Sequence, residues 1–269
     1  MMNIIRADLY RLFRGKGFYI TGVIFLIFII LQAFQADNLS VGVATDVTWK
    51  ALEMFEVTDL KGSNIHILMF QFANNLPYFV LPFIIFIAAA DFSSGSIKNV
   101  LSNGTSRIKY YFSKLILCYI FSTIMMILYL LIPIIFLTIS KGFGGNFDGK
   151  YLSSVCKPFF GQLFILLAIT SVGVFFVFLT KRIAGVNSAF IAFCLAPTLI
   201  IAILSETLKQ ESLMDLLAYD MLIGIQYVGN ISTNLVEQSD INRCFIIAAG
   251  YLLLSVVGSI LVFRKNEIK

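Results

Sequence analysis

The sequence predicts an all-α membrane protein with six transmembrane helices. Apolar residues make up 59% of the chain and charged residues only 13%, where a soluble domain carries about a quarter charged. The apolar residues also run on for about 20 positions at a time, the length a helix needs to cross the hydrocarbon core. Finally, these runs do not alternate in period two, as barrel strands would. Backbone groups in lipid must bond within their own segment, so each run reads as a helix.

The spans fall at about residues 18–34, 65–90, 115–140, 159–180, 183–205 and 244–263, and residues 1–269 form one membrane domain with no stretch sized for an additional soluble one. Ahead of the first span, Ile5, Leu9, Leu12 and Phe13 share one side of a helical wheel. Arg6, Arg11 and Arg14 share the other, with Asp8 beside them. This is the pattern of an amphipathic helix lying in the membrane interface. Gly15 and Gly17 break it before the first span. That span is longer than a signal-peptide core and is followed by further spans, so it reads as a retained anchor.

The second span holds Gln71, Asn74, Asn75, Pro77 and Pro82, and its prolines are expected to kink it. The fourth holds Gln162, Thr170 and Ser171, and the fifth Asn187, Ser188 and Pro197. No span centre carries Asp, Glu, Lys or Arg, which argues against a proton relay or an ion-coupled carrier. Two readings of the amides stand side by side. They bond between helices, or some of them, with Gln71, Asn74, Asn75, Gln162 and Asn187 as the candidates, face a cargo path.

Lys and Arg set the orientation. With both termini inside, thirteen of the twenty basic residues lie on the cytosolic side, among them Arg6, Lys98, Lys114, Lys181 and Arg264. This is a positive-inside bias. The basic balance therefore reads as membrane orientation and anionic-lipid contact, not as nucleic-acid binding. Outside lie two long segments. Residues 37–64 are acidic and hold Trp49. Residues 206–230 mix acids with Leu, Met and Ile, and read as short helices that dip into the outer leaflet or cap the bundle.

Between the second and third spans runs DFSSGSIKNVLSNGTSRIKYYFSK, from Asp91 to Lys114. Ser93 and Ser94 are candidate helix caps. Ile97, Val100 and Leu101 keep the spacing of one apolar helix face. Asn103-Gly104 is a helix stop, because glycine accepts the left-handed conformation. Thr105 and Ser106 are candidate caps for the next helix, which carries Arg107, Lys109, Tyr110 and Lys114 into the third span. The segment reads as a short capped helix, a glycine break and a return to the membrane.

Asp91, Gly95, Ser96, Ile97, Lys98, Asn99, Val100, Leu101, Ser102, Gly104, Ser106, Arg107, Ser113 and Lys114 resemble the corresponding loop of type-2 ABC transporter permeases. There an acid, a Gly-Ser/Thr pair, an apolar residue and Lys precede S-x-G-x-S-R and a later S-K. The acid is Asp91 here where many relatives have Glu. The resemblance extends to the six-span plan and to the helix ahead of the first span. It implies a coupling helix that docks on a separate ATP-binding subunit, with Ser96, Ile97, Lys98, Asn99, Val100, Leu101, Gly104 and Arg107 as the coupling residues. Ile97, Val100 and Leu101 would enter a groove on that subunit, with Lys98 and Arg107 at its rim. It further implies a second permease subunit, identical or homologous, ATP and Mg on the partner, and a place in a bacterial plasma membrane. In size and loops the chain is most similar to exporters and immunity permeases for antimicrobial peptides, which implies an amphiphilic cargo.

The chain shows no hydrolytic, redox or nucleotide-binding motif. The sole histidine, His66, falls at the start of the second span and cannot build a zinc site alone. Cys118, Cys156, Cys194 and Cys244 lack metal-ligand spacing, and only Cys156 and Cys244 can share the outer side for a disulfide. No catalytic residue, metal or bound cofactor is therefore expected on this chain. An ion-coupled carrier or channel, and a non-transporting sensor or assembly protein, remain as alternatives.

Overall fold

The computed structural model describes residues 2–38, 60–208, 219–232 and 236–265. Among them there is no strand, and six helices are long and apolar enough to cross a membrane. By length and composition the chain is a multi-pass membrane protein. Trp49, Glu267, Lys269 and much of the two long segments at 37–64 and 206–230 lie outside the described residues.

Helix α1 (Met2–Arg14) turns at Gly15 into α2 (Lys16–Asn38). The wheel expected for α1 holds with two corrections. Asp8, placed beside the basic face by its sequence neighbours, points inward and is buried with Leu12, while Phe13 is exposed. A carboxylate on an inward face needs a partner, and Lys114 supplies one from 106 residues away.

The second span is not one helix. It runs as α3 (Ile65–Gln71), a 3₁₀ turn (Ala73–Asn75), α4 (Leu76–Ile84), a π-turn (Ile85–Ala89) and α5 (Ala90–Ser93). The prolines account for part of this. Pro77 sits in the first turn of α4, where its missing N–H costs nothing. Pro82 lies inside α4 and cannot bond back to the carbonyl of Tyr78, just before the ladder widens into the π-turn.

Short α6 (Ser96–Ser102) follows, then α7 (Arg107–Lys141) and α8 (Gly149–Thr180). At 35 and 32 residues, α7 and α8 are each about 50 Å long, well beyond the roughly 30 Å hydrocarbon core. Both therefore start before the spans read from hydropathy. Asp148 caps α8 by accepting from the Tyr151 N–H at 2.8 Å, and Lys181, at φ 54°, ends it. The glycine-rich turn between α7 and α8 is pinned to the approach to α3. There Gly62 N–H donates to Gly142 O at 3.3 Å and Ser63 N–H to Phe143 O at 2.9 Å.

Helices α9 (Ile183–Leu208), α10 (Met221–Gly229) and α11 (Gln238–Lys265) complete the bundle. Helix α8 is its hub, packed on α4, α7, α9, α10 and α11. Its apolar window is 61% buried, against 11% for α9 and 17% for α2 and α11. Those outer helices keep most of their apolar surface exposed, which a hydrocarbon solvent accepts and water would not. All four cysteines are free thiols, so Cys156 and Cys244 are not paired.

Candidate functional site

The loop between the second and third spans folds around a carboxylate. Asp91, the motif acid, is 3% exposed and accepts from four donors. Tyr110 Oη donates to it at 2.7 Å, Ser96 Oγ donates at 3.1 Å, Lys114 Nζ lies 2.5 Å away, and Arg11 pairs with its Oδ1. Lys114 Nζ also donates to both oxygens of Asp8 at 2.7 Å. Two acids and two bases thus balance in one cluster drawn from α1, α5 and α7. Burial, the largest influence, raises the Asp8 pKa from its ordinary value and Asp91 adds to the rise, while Lys114 and Arg11 pull against it. The Arg11 Nη2 further donates to the carbonyls of Phe86 and Ile87 in the π-turn, at 3.3 and 3.4 Å.

This centre fixes where α6 begins. Gly95, at φ 69°, turns the chain sharply after α5, and Ser96 bonds back to Asp91 in the first turn of α6. Ser93 and Ser94 do not cap α6. Ser93 Oγ donates to Ala90 O and Ser94 Oγ to Ser96 Oγ. The stop at Asn103-Gly104 is present, with Gly104 at φ 81°, and Ser106 caps α7 by accepting from the Lys109 N–H at 3.3 Å.

The apolar face of α6 turns largely toward the bundle. Ile97 is 2% exposed and belongs to the chain's own core, and Val100 and Leu101 pack partly against that core. In the chain by itself Ile97 is covered by its own core, while Val100 and Leu101 are only partly covered. The exposed residues are Lys98, Asn99 and Ser102. Arg107 is not a free rim charge either. Its Nη1 donates to the carbonyls of Phe263 and Arg264 at 2.8 and 2.9 Å, tying the start of α7 to the end of α11.

A cleft of about 390 Å³ opens beside α6, lined by α1, Asp91, Val100, Asn103, Thr105 and the head of α7. Among the described residues, Asp8 and Asp91 are the acids of this end, and both are buried. The surface is therefore cationic, with Arg6, Arg14, Lys16, Lys98 and Lys109 exposed.

The candidate path residues do not form one lining. Gln71 and Gln162 are 4% and 1% exposed and bond between helices. Gln71 Nε2 donates to Asn230 Oδ1 at 2.5 Å, and Gln162 Nε2 donates to Phe70 O at 2.7 Å and Ile225 O at 2.9 Å. They hold α10 against α3 and α8. Asn230 was not singled out from the sequence, where nothing marks it as the partner of Gln71, 159 residues away. Asn75 donates to Phe72 O, and the Asn74 side-chain oxygen is buried without a partner among the described residues. Asn187 stands apart on α9, half-buried. His66 is 4% exposed, with Nε2 3.2 Å from Ser154 Oγ. No group of three metal-ligating side chains occurs among the described residues.

No protein-family model matches the chain, and no curated protein matches it.

Proposed function

We propose that this chain is the membrane subunit of a type-2 ABC transporter. It exports an amphiphilic peptide or other hydrophobic cargo across a bacterial plasma membrane, with both termini cytosolic. A separate ATP-binding subunit holds ATP and Mg and performs hydrolysis, and a second permease subunit, identical or homologous, completes the complex. The observation that carries this reading is the loop at Asp91–Lys114. Its motif acid and motif lysine meet at 2.5 Å, and between them lies a short helix that begins beside the acid and stops at Gly104. Such a helix, rigidly seated at the end of a broken span, can receive a push and pass it to the bundle. The cationic surface at the same end agrees with a cytosolic placement.

The test is reconstitution in liposomes with a candidate ATP-binding subunit. Cargo-stimulated hydrolysis that falls in Lys98→Glu, with the bundle intact, supports the reading. An ATPase that neither co-purifies nor responds to this chain would remove it. Orientation is tested by cysteines placed at Ser94 and Ser153 in a variant without native cysteines. They should label from opposite sides of intact cells.

The ion-coupled carrier reading gains one observation, the buried Asp8, Asp91 and Lys114. These groups are mutually neutralised at one end of the bundle and not at a span centre, which favours the ATP-driven reading. Proton uptake coupled to cargo movement without nucleotide would reverse that preference.

A further inference from the structure

We propose that Asp8, Arg11, Asp91 and Lys114 form an ionic latch that binds α1 to the loop end of the second span, so that α1 and α6 move as one block about the π-turn at Ile85–Ala89.

Helix α1 is held in two ways. Leu12 is buried and Ile5 and Leu9 pack partly against the core, while Asp8, its one buried charge, sits on Lys114. Open space lies along one face of it: the cleft of about 390 Å³ next to α6, and a pocket of about 180 Å³ lined by Arg11, Leu12, Gly15, Phe18 and Phe86. With open space along that face, its charged anchors are Asp8 on Lys114 and Arg11 on Asp91.

The cluster is also all-or-none. Lys114 touches both acids, and its side chain is 1% exposed. Withdrawing Asp8 alone would leave a buried charge imbalance, so α1 cannot slide away by degrees. Ser96 shares Asp91 with Arg11 and Lys114, which carries the same centre into the first turn of α6.

The π-turn is the place where such a block can pivot. Its backbone ladder is irregular, and its Phe86 and Ile87 carbonyls already accept from Arg11. π-turns interrupt helices where they bend or serve a function. Above the turn, α4 packs on α7 and α8, and the turn itself lies against α7, α8 and α9.

The meaning of the latch for transport rests on the ABC reading, but its mechanics do not. The closing experiment therefore uses the full chain alone in lipid nanodiscs, read by hydrogen–deuterium exchange. The variant Asp8→Asn removes the buried acid of α1 and leaves Lys114 and Arg11 on Asp91, so the centre beside α6 keeps its own partners while α1 loses its central contact. Amides of both α1 and α6 should exchange at least tenfold faster than in the unmodified chain, with those of α8 and α10 unchanged. If that variant does not fold, Leu12→Ala loosens α1 without touching Asp91, with a severalfold rise expected in both helices. Exchange that rises in α1 alone would show two independent helices and overturn the block. Exchange unchanged in both would overturn the latch, whatever the chain transports.

Discussion

Lys114 Nζ lies 2.7 Å from both carboxylate oxygens of Asp8, a residue 106 positions earlier, and 2.5 Å from Asp91. Its side chain is 1% exposed, whereas that of Arg11, the other base of the cluster, is 41% exposed. Breaking a buried pair by removing one partner costs about 3–5 kcal/mol, because the other charge is left without compensation. An exposed pair contributes about 1 kcal/mol or less. Lys114→Met should therefore lower the thermal stability of the detergent-solubilised chain far more than Arg11→Gln. Equal losses would mean that solvent reaches Lys114 as freely as Arg11.

The second prediction concerns α6. Ile97 is built into the chain's own core while Lys98 faces outward. Ile97→Ala should cost about 2–4 kcal/mol of stability, in the range for truncating buried isoleucine. Lys98→Glu should leave stability within about 0.5 kcal/mol, as exposed substitutions do, while changing any contact that α6 makes with a cytosolic partner. Melting curves of the two variants, beside co-purification of the proposed ATP-binding subunit, separate the roles. A stable Ile97→Ala chain that loses its partner would restore the outward-facing reading of that residue.

These two residues also show what was legible in the sequence. Length and hydropathy marked all six long helices, because crossing lipid imposes a length that hydropathy reports directly. The stop at Asn103-Gly104 and the Ser106 cap were readable because turn chemistry is local. The direction of the apolar face of α6 was not. The spacing of Ile97, Val100 and Leu101 says that one face is apolar, but not whether the chain or a partner covers it. The ionic cluster was hidden for a different reason. Asp8 read as part of the polar face of α1, and Asp91 and Lys114 as ends of one loop motif; only the fold brings the three within hydrogen-bonding distance. The amides Gln71 and Gln162 were recognised as out of place in a span. Their bonding role became distinct from a cargo path only once Asn230 and the carbonyls of Phe70 and Ile225 stood opposite them.

Gly104 allows a separation of backbone strain from crowding. A Cβ there would meet no heavy atom within 4 Å, yet φ is 81°. The left-handed conformation costs an ordinary L-residue about 1–2 kcal/mol, and asparagine less. Gly104→Ala should thus destabilise the loop, Gly104→Asn by less, and β-branched Gly104→Val by the most, read as local amide exchange in α6 and the start of α7. An asparagine loss as large as that of alanine would mean that the left-handed backbone is not the cause.

The last prediction lies at the opposite end of the bundle, where α10 is seated. Gln162 holds it by donating to Phe70 O and Ile225 O, and Gln71 holds it through Asn230. The approach is close. A Cβ on Gly229 would stand 2.9 Å from the Phe70 carbonyl oxygen and 2.6 Å from Gln162 Nε2. A side chain there must displace backbone, and inserting one into a packed site costs about 1–3 kcal/mol. Leaving the carbonyls of Phe70 and Ile225 without a donor costs about 1–3 kcal/mol for each group that stays buried. Gly229→Val and Gln162→Leu should therefore act on the same seat from its two sides. Each alone should raise amide exchange in α10. Together they should cost less than the sum of the two, because once the seat is open the second change removes a contact already lost. Strict additivity of their stability losses, measured as a double-mutant cycle in detergent, would show that Gly229 and Gln162 hold α10 independently, and the single-seat account would fail.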